Sequence, residues 1–501
     1  MIMITVRING KEYKAEPGVC LGQLAAREGA VAMICGGHGK CGKCRGTVSG
    51  AVSAPTGLEE RILGEELRNG VRLLCRTYAE GDCEVTTYTQ TSAQIRGDGD
   101  LPPHEHAPSF FEYGVAADIG TTTVAVRLYG RDGSLLASES ALNPQRAFGG
   151  DVISRMEAAL SGKADELAAL IRDCLSALIS RAANDAGIPP EKIDGAVIAG
   201  NTVMLYLLTL TDTEPLTHAP FEAKRLFGET LTASELGITA LPPDAEVYIP
   251  PCVSAFVGAD TTSAVTSSGL ARKDAVSVLT DIGTNGETVL KYGGGILACS
   301  TAAGPAFEGA GIEMGMGGSH GAIDRVKALP DGTYSVRVIG DTEPEGVCGS
   351  GLVDALAAFI DTEAIDETGF MEDDPVTLKA PVVITQNDVR AAQLAKSAIH
   401  AGIRTLLHTA GVSCGDVETL YIAGGFGSYL DVKNAGKIGL IPSELVLRVK
   451  VLGNASLSGA SLMLLSLPVR RRCEETAKKI KLTSLAANPV FAEEYMERMM
   501  F

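Results

Sequence analysis

The chain has 501 residues, of which 45% are hydrophobic and 21% are charged, a composition that excludes a mainly disordered chain. At roughly 150 residues per domain, the length predicts about three domains. Lys and Arg number 43 against 61 Asp and Glu, giving a net charge of −18. This acidic balance argues against a duplex nucleic-acid binder, which needs a basic face.

Charge is unevenly distributed along the chain. Residues 1–92 contain 11 Lys and Arg against 10 Asp and Glu, a net charge of +1, so the remainder carries −19. This predicts a near-neutral first unit and an acidic second unit. The start lacks the basic and apolar regions of an export signal, and the apolar stretches around 196–210 and 457–469 are shorter than the ~18–20 residues of a membrane helix. We therefore expect a cytoplasmic protein with no membrane segment and no nucleic-acid partner.

The N-terminal residues predict a strand, a tight turn, a second strand and a helix. Ile4, Val6 and Ile8 alternate with polar residues, and the Asn-Gly pair at 9–10 is typical of a hairpin turn. The apolar residues of 21–25 then fall on one face of a helix.

Four cysteines follow in a pattern typical of a metal site. Cys35, Cys41 and Cys44 have the spacing C-x5-C-x2-C, and Cys75 comes thirty residues later. Three thiolates on one loop with a distant fourth are typical of plant-type [2Fe–2S] sites, and the intervening glycines let the backbone wrap around a cluster. The alternatives are a zinc site, which usually has two short cysteine pairs, and unligated core cysteines.

Residues 1–90 resemble [2Fe–2S] ferredoxins, which have an α+β, β-grasp fold. The resemblance implies a cluster held by Cys35, Cys41, Cys44 and Cys75. Cys83 is the alternative to Cys75 as the fourth ligand. The segment 73–76 (Leu-Leu-Cys-Arg) looks like the fourth-ligand segment of ferredoxins and favours Cys75.

A linker follows the first unit. Residues 91–112 contain five prolines and glycines, and no apolar period runs through them. The composition predicts a partly extended, mobile tether.

After the linker, two sequence signatures occur twice and in the same order. The motif D-I-G-T begins at Asp118 and again at Asp281, and an apolar strand ending in Ala-Gly occurs at 199–200 and at 423–424. The order predicts two homologous halves, with an insertion of about sixty residues in the second.

The repeated turns have the chemistry of a phosphate site. Glycine lets a turn approach phosphate closely, and Thr hydroxyls and turn amides donate to phosphate oxygens. Asp118 and Asp281 stand where a carboxylate can reach Mg²⁺ through water and position the attacking water, so they are the predicted catalytic residues. The predicted ATP-binding residues are Gly120, Thr121, Thr122, Thr123, Gly283, Thr284, Asn285, Gly286, Gly424, Gly425, Phe426 and Gly427.

Residues 113–465 resemble the phosphate and adenosine motifs of the superfamily of acetate and sugar kinases, heat-shock chaperones and actin. The resemblance implies a duplicated, ribonuclease-H-like α/β fold whose two lobes close over ATP with Mg²⁺. We expect lobe one at 113–275, lobe two at 276–465 and a tail at 466–501. A Walker A sequence is absent from the chain, so a P-loop fold is not supported.

Three further segments are candidates for the cleft. Residues 348–351 (Cys-Gly-Ser-Gly) precede an apolar helix whose start could contact phosphate or substrate. Residues 143–145 (Asn-Pro-Gln) begin a turn-rich patch that could form the edge of the cleft. The glycine-rich segment 304–318 could be a mobile loop within it. Plain turns are the alternative for the last two.

Together, the two units resemble the reductive activators of corrinoid-dependent methyltransferases over nearly the whole chain. Supporting motifs are the four cysteines, both D-I-G-T turns, 423–427 (Ala-Gly-Gly-Phe-Gly) and 454–460 (Asn-Ala-Ser-Leu-Ser-Gly-Ala). The resemblance implies ATP-dependent electron transfer from the [2Fe–2S] cluster to a partner corrinoid protein, converting cob(II)amide to cob(I)amide. It also implies an upstream electron donor and a possible homodimer.

One departure and two alternatives accompany this resemblance. Many members of the family carry a middle domain, often linked to dimerisation, between linker and ATPase, whereas only about 22 residues lie there in this chain. The chain could instead activate another low-potential enzyme, such as a radical dehydratase. It could also be a small-molecule kinase with an appended redox module.

Overall fold

The computed structural model describes residues 3–27, 30, 31, 33, 37, 39, 42, 44–87, 101–425 and 429–501. Four predicted site residues lie outside the described ranges: Cys35, Cys41, Phe426 and Gly427. Within the described ranges, none of the helices combines the length and the apolar character needed to cross a membrane.

The first unit is built on a five-stranded sheet with the order β2-β1-β5-β3-β4. Alternate residues of the first strand are buried, and Asn9 and Gly10 turn the chain with φ of 48° and 83°, so the predicted hairpin is confirmed. The first and last strands pair in parallel, which gives the predicted β-grasp. Its elements are β1 Ile4–Ile8, β2 Lys11–Ala15, α1 Leu21–Arg27, β3 Arg45–Val52, α2 Gly57–Leu63, β4 Val71–Leu73 and β5 Ala79–Thr87.

Lobe one contains a six-stranded mixed sheet with the order β10-β11-β9-β6-β7-β8. Its central strands are apolar on both faces, because helices cover both sides. Its elements are β6 Tyr113–Ile119, β7 Thr123–Gly130, β8 Leu135–Leu142, α3 Val152–Ala158, α4 Ala164–Ala186, β9 Ile193–Gly200, α5 Thr202–Leu208, β10 Glu229–Thr232, α6 Ala233–Leu236, β11 Glu246–Ile249 and α7 Ala259–Ser268.

The second half repeats this topology. The order β21-β20-β12-β13-β14 matches β11-β9-β6-β7-β8, so the predicted duplication is confirmed. The stretch after β14 holds five extra strands and α8, which form the predicted insertion. The elements are β12 Ser277–Ile282, β13 Gly286–Tyr292, β14 Gly295–Thr301, β15 Ala322–Ala328, β16 Tyr334–Val338, β17 Gly346–Val347, α8 Gly349–Asp361, β18 Val376–Lys379, β19 Val382–Ile384, α9 Gln386–Ala410, β20 Thr419–Ala423, α10 Val432–Lys437, β21 Val449–Gly453, α11 Ala455–Leu465, α12 Leu467–Ala477, β22 Ile480–Leu482 and α13 Pro489–Glu497.

Helix α11 belongs to lobe two by sequence but packs on lobe one. It lies against β6, β9 and α7, and all eleven of its residues are buried. Gly459 makes the crossing with α7 close, since a Cβ there would lie 2.0 Å from the Ser263 carbonyl oxygen. Residues 455–465, which were expected to belong to lobe two, therefore pack on lobe one.

The second half of the predicted tether is packed rather than mobile. The amide of Ala107 donates to the Leu465 carbonyl and that of Ser109 to the Leu464 carbonyl, both at 3.0 Å. Phe110 is buried in the core that α11 shares with lobe one. The prediction of a free tether over 91–112 is therefore wrong for 101–112.

The first unit rests on lobe one. Helix α1 packs against the short 3-10 turn Pro144–Ala147, and Ala147 and Phe148 complete the apolar core of the first unit. An ion pair between Arg27 and Glu166 (3.0 Å) lies at the rim. The structure thus shows the first unit in a docked position.

Candidate functional site

Each of the two D-I-G-T motifs forms a hairpin at the centre of its sheet. In hairpin one (residues 118–123), β6 turns into β7, and the Gly120 amide donates to the Thr123 carbonyl (2.9 Å). A Cβ on Gly120 would lie 2.7 Å from that carbonyl oxygen, so the turn requires glycine. In hairpin two (residues 281–286), the Gly283 amide donates to the Asn285 carbonyl (3.1 Å).

Both hairpins face one cleft of about 1570 Å³ between the lobes. The start of helix α8 also faces it, as the glycine-rich segment 304–318 does, so both predicted placements are confirmed. Gly286 does not line the cleft; its backbone packs beside the Thr301 hydroxyl in the sheet. The predicted residues that line the cleft are Asp118, Gly120, Thr121, Thr122, Thr123, Asp281, Gly283, Thr284, Asn285, Gly424 and Gly425.

Asp118 is held by two donors from the other half of the chain. Asn454 Nδ2 donates to Oδ2 (3.0 Å) and Ser456 Oγ donates to Oδ1 (2.7 Å), both from the start of α11. Burial raises the pKa of Asp118, and the two hydrogen bonds oppose this by favouring the carboxylate. Asp118 thus joins the two halves of the chain across the cleft.

Asp281 has a different environment. Burial first, and then the nearby carboxylates of Asp260 and Asp118, together raise its pKa to about 8. Burial likewise raises the pKa values of Asp260 and Glu287. Such a concentration of carboxylates in a buried cleft favours the entry of a divalent cation, which would replace the protons.

The Ala-Gly turns bring the backbone close to the hairpins. Gly424 has a φ of 102°, and a Cβ there would lie 2.5 Å from the Ile282 carbonyl oxygen. Only glycine lets this turn pass so near hairpin two. In lobe one, Asn201 Nδ2 donates to the Thr121 hydroxyl (3.1 Å).

The Asn-Pro-Gln segment lies behind hairpin one and not at the edge of the cleft. Asn143 is fully buried. Its backbone amide donates to the Thr122 carbonyl and its side-chain Nδ2 donates to the Gly120 carbonyl, both at 2.9 Å. Arg155 adds a bond from Nη2 to the Thr121 carbonyl (2.6 Å). Because Pro144–Ala147 also contacts α1, the segment connects hairpin one with the first unit.

The cysteine site occupies the other side of α1. The Leu74 amide donates to the Cys44 carbonyl (2.8 Å), which brings Cys75 beside Cys44. The Cys20 thiol donates to the carbonyls of Leu74 and Cys75 (both 3.7 Å), so it has a structural role in this unit. Cys83 lies in β5, opposite Val6 and Gly50.

The residues described at this site fit an iron–sulfur cluster. Cys44 and Cys75 are both buried. Gly37, Gly39 and Gly42 have φ of 84°, 74° and 67°, the left-handed conformation that favours glycine. This is the environment expected for thiolate ligands of a cluster.

Sequence reasoning missed five residues of the cleft. Asn454 and Ser456 lie in the 454–460 motif, but their contact with Asp118 depends on the packing of α11 on lobe one. Glu308 lies in the predicted cleft loop, where no acidic role was assigned. Asp260 at the start of α7 and Glu287 in β13 have no distinguishing sequence signal. The missed residues are Asp260, Glu287, Glu308, Asn454 and Ser456.

Family comparisons cover most of the chain. Residues 4–80 match a 2Fe-2S iron-sulfur cluster binding domain. Residues 113–273 match the RACo middle region, and residues 275–501 match the C-terminal domain of RACo, the ASKHA domain. The match to the middle region covers lobe one. The expectation that this chain lacks a middle domain is therefore wrong.

Relatives and one solved structure agree with these matches. The corrinoid activation enzyme RamQ of Eubacterium limosum is 37% identical over 422 residues, covering 78% of this chain and 70% of RamQ. A [Co(II) methylated amine-specific corrinoid protein] reductase of Methanosarcina barkeri is 27% identical over 399 residues, covering 74% and 73%. The solved structure of a reductive activator for corrinoid, iron-sulfur protein matches with a TM-score of 0.75 and 28% identity, covering 99% and 98%.

Proposed function

The chain belongs to the family of reductive activators of corrinoid proteins, and we propose that it converts cob(II)amide to cob(I)amide in a partner corrinoid protein at the expense of ATP. The observation that carries this function is the presence in one chain of a cysteine site for a [2Fe–2S] cluster and a two-lobed nucleotide cleft. An upstream electron donor would re-reduce the protein after each turnover.

The first unit holds the electron-carrying group. We propose Cys35, Cys41, Cys44 and Cys75 as the ligands. When bound, a plant-type cluster supplies single electrons near −400 mV. Helix α1 packs directly on the Cys75 segment, since a Cβ on Gly22 would lie 2.6 Å from the Cys75 nitrogen. It therefore fixes one side of the cluster site and contacts lobe one with the other.

Different residues of the cleft would contact different parts of MgATP. Residues of both hairpins line the cleft, where their Thr hydroxyls and turn amides would donate to phosphate oxygens. Asp118 and Asp281 would position Mg²⁺ and the attacking water. Gly424 and Gly425 would let the nucleoside lie against the backbone.

The Asn143 segment offers a mechanical connection between the two activities. Hairpin one is bonded to Asn143, Pro144–Ala147 contacts α1, and α1 contacts the Cys75 segment. A change in hairpin one on ATP binding would thus alter the docking surface of the first unit. Such a shift drives electron transfer only if the corrinoid partner binds one state better.

The ligand assignment is tested by two matched variants. Anoxically purified protein should hold about two iron atoms and two acid-labile sulfides per chain. Cys75→Ser should lose most of both, whereas Cys83→Ser should keep them. Stoichiometric zinc without sulfide would contradict the assignment.

The function is tested with a cob(II)amide-loaded corrinoid protein, a chemical reductant and MgATP, followed in the visible spectrum. Cob(I)amide should accumulate only with MgATP and only when the cysteines are intact. Replacing ATP by a non-hydrolysable analogue separates the effect of binding from that of hydrolysis. Equal yield without ATP would refute energy coupling, and phosphorylation of an added metabolite would favour the kinase alternative.

A further inference from the structure

Glu308 bridges the two lobes from within the cleft. It ends the short 3-10 turn Ala306–Glu308, which Gly309 terminates with a φ of 82°. Its Oε1 accepts a hydrogen bond from the Thr122 hydroxyl of hairpin one (3.3 Å), and its Oε2 accepts one from the Thr284 hydroxyl of hairpin two. One carboxylate therefore engages both hairpins at once.

The two hydroxyls are the donors that the nucleotide would need. Thr122 and Thr284 lie in the turns of the two D-I-G-T copies, Thr122 one position beyond the equivalent of Thr284, and each is proposed to donate to a phosphate oxygen. A carboxylate offers two anionic acceptor oxygens, as a phosphoryl group offers three. Arg155, fully buried behind hairpin one, adds positive charge that favours either anion.

The segment that carries Glu308 is folded on itself. A Cβ on Gly309 would lie 2.5 Å from the Met316 carbonyl oxygen, and one on Gly315 would lie 2.2 Å from the Gly309 carbonyl oxygen. The Met316 amide donates to the Val347 carbonyl (3.0 Å), next to the start of α8. Displacement of Glu308 would thus move a compact loop that touches another wall of the cleft.

We propose that Glu308 is an internal competitor of the nucleotide: in the nucleotide-free chain its carboxylate occupies a phosphate position between Thr122 and Thr284, and MgATP must displace it. The inference rests on the proposed binding of ATP by the two hairpins. Glu308 is a positioning residue in this scheme, because it acts through the hairpin threonines. The Glu308 carboxylate leaves the two threonines when phosphate enters the cleft.

The test is the affinity of the Glu308→Gln variant of the full-length holoprotein for the magnesium complex of a non-hydrolysable ATP analogue. The side-chain amide of the variant is uncharged and competes less well with phosphate, so the Kd for the analogue should fall about tenfold. If Glu308 has only a structural role, its replacement would raise the Kd instead. Glu313→Gln, an exposed change in the same segment, should leave the Kd within twofold.

A second measurement follows the loop itself. In the wild-type protein, the analogue should increase amide hydrogen exchange within 304–318, and in Glu308→Gln exchange should already be increased without it. Should Glu308→Gln prove unstable, Glu308→Asp, whose shorter side chain cannot span both hydroxyls, provides the same comparison.

Three results would overturn the proposal. One is a Kd of the folded Glu308→Gln protein that is equal to or higher than that of the wild type. A second is a large loss of kcat with an unchanged Kd, which would place Glu308 on the attacking water. The third, no nucleotide binding by the wild-type protein, would refute the nucleotide site as well and is thereby distinguished from the first two.

Discussion

The two D-I-G-T hairpins share a motif but differ in the length of the turn and in the side chains around the aspartate. Asp118 accepts bonds from Asn454 and Ser456, whereas Asp281 is surrounded by carboxylates. The comparison shows that duplication preserved the motif while the length of the turn and the side chains around it diverged. One aspartate bonds to the other half of the chain, and the other lies among buried carboxylates.

The largest expected effects come from removing the two aspartates. Asp118→Ala and Asp281→Ala should each reduce kcat for MgATP hydrolysis by at least about 100-fold, the usual effect of losing one group that stabilises charge or positions reactants. Steady-state phosphate release measures this, and the visible spectrum of the first unit should stay unchanged. Full activity in both variants would contradict their placement in the site.

The next effect concerns the turn beside hairpin two. Gly424→Ala forces a Cβ against the Ile282 carbonyl oxygen at a φ of 102°, so the free energy of unfolding should fall by about 1–3 kcal/mol. Gly425→Ala is the matched control, because none of the described residues beyond its chain neighbours lies within 4 Å of its Cβ position. Denaturant unfolding of both variants measures the difference, and equal stability would be inconsistent with the close approach.

A smaller effect appears as a dependence on pH. The pKa of Asp281 is raised to about 8 from 3.8, so the folded chain keeps a proton that the unfolded chain loses. This contribution to stability is complete below about pH 4 and is lost as the pH rises through 8. Asp281→Asn should therefore gain Tm over the wild type between pH 5 and pH 9. A constant Tm difference across this range would argue against the raised pKa.

The smallest effect tests the other hairpin. Ser456→Ala removes the hydroxyl that donates to Asp118, so the free energy of unfolding should fall by about 1–2 kcal/mol. Ser458→Ala, in the same helix and also buried, should change it by less than half as much. If the two variants are indistinguishable in chemical denaturation, the bond to Asp118 contributes nothing to stability.

Local sequence signals predicted the parts of the molecule that depend on local geometry. The alternation of Ile4, Val6 and Ile8, the Asn-Gly turn and the repeated glycine turns each specify backbone conformation within a few residues. These signals were sufficient for the first hairpin, the duplicated halves and eleven lining residues of the cleft, whereas the β-grasp was implied by the resemblance to ferredoxins.

The remainder depends on contacts between distant residues. Nothing in the small-residue sequence of α11 indicates that it crosses to lobe one, because its face is defined by the backbone of α7. The docking of Phe148 on the first unit and the bridge made by Glu308 likewise arise only after folding. Propensity and periodicity carry no information on such pairs.

The crossing of α11 onto lobe one has a consequence for the synthesis of the chain. Strand β6 begins at residue 113, but the helix that covers it begins at residue 455. At roughly 5–20 residues per second, a ribosome needs about 20–70 s to make the residues between them. During that time one apolar face of β6 and β9 is exposed, because α11 has not yet been made. Chaperones can bind such a face. The yield of folded protein in a cell should therefore depend on translation speed and chaperone supply.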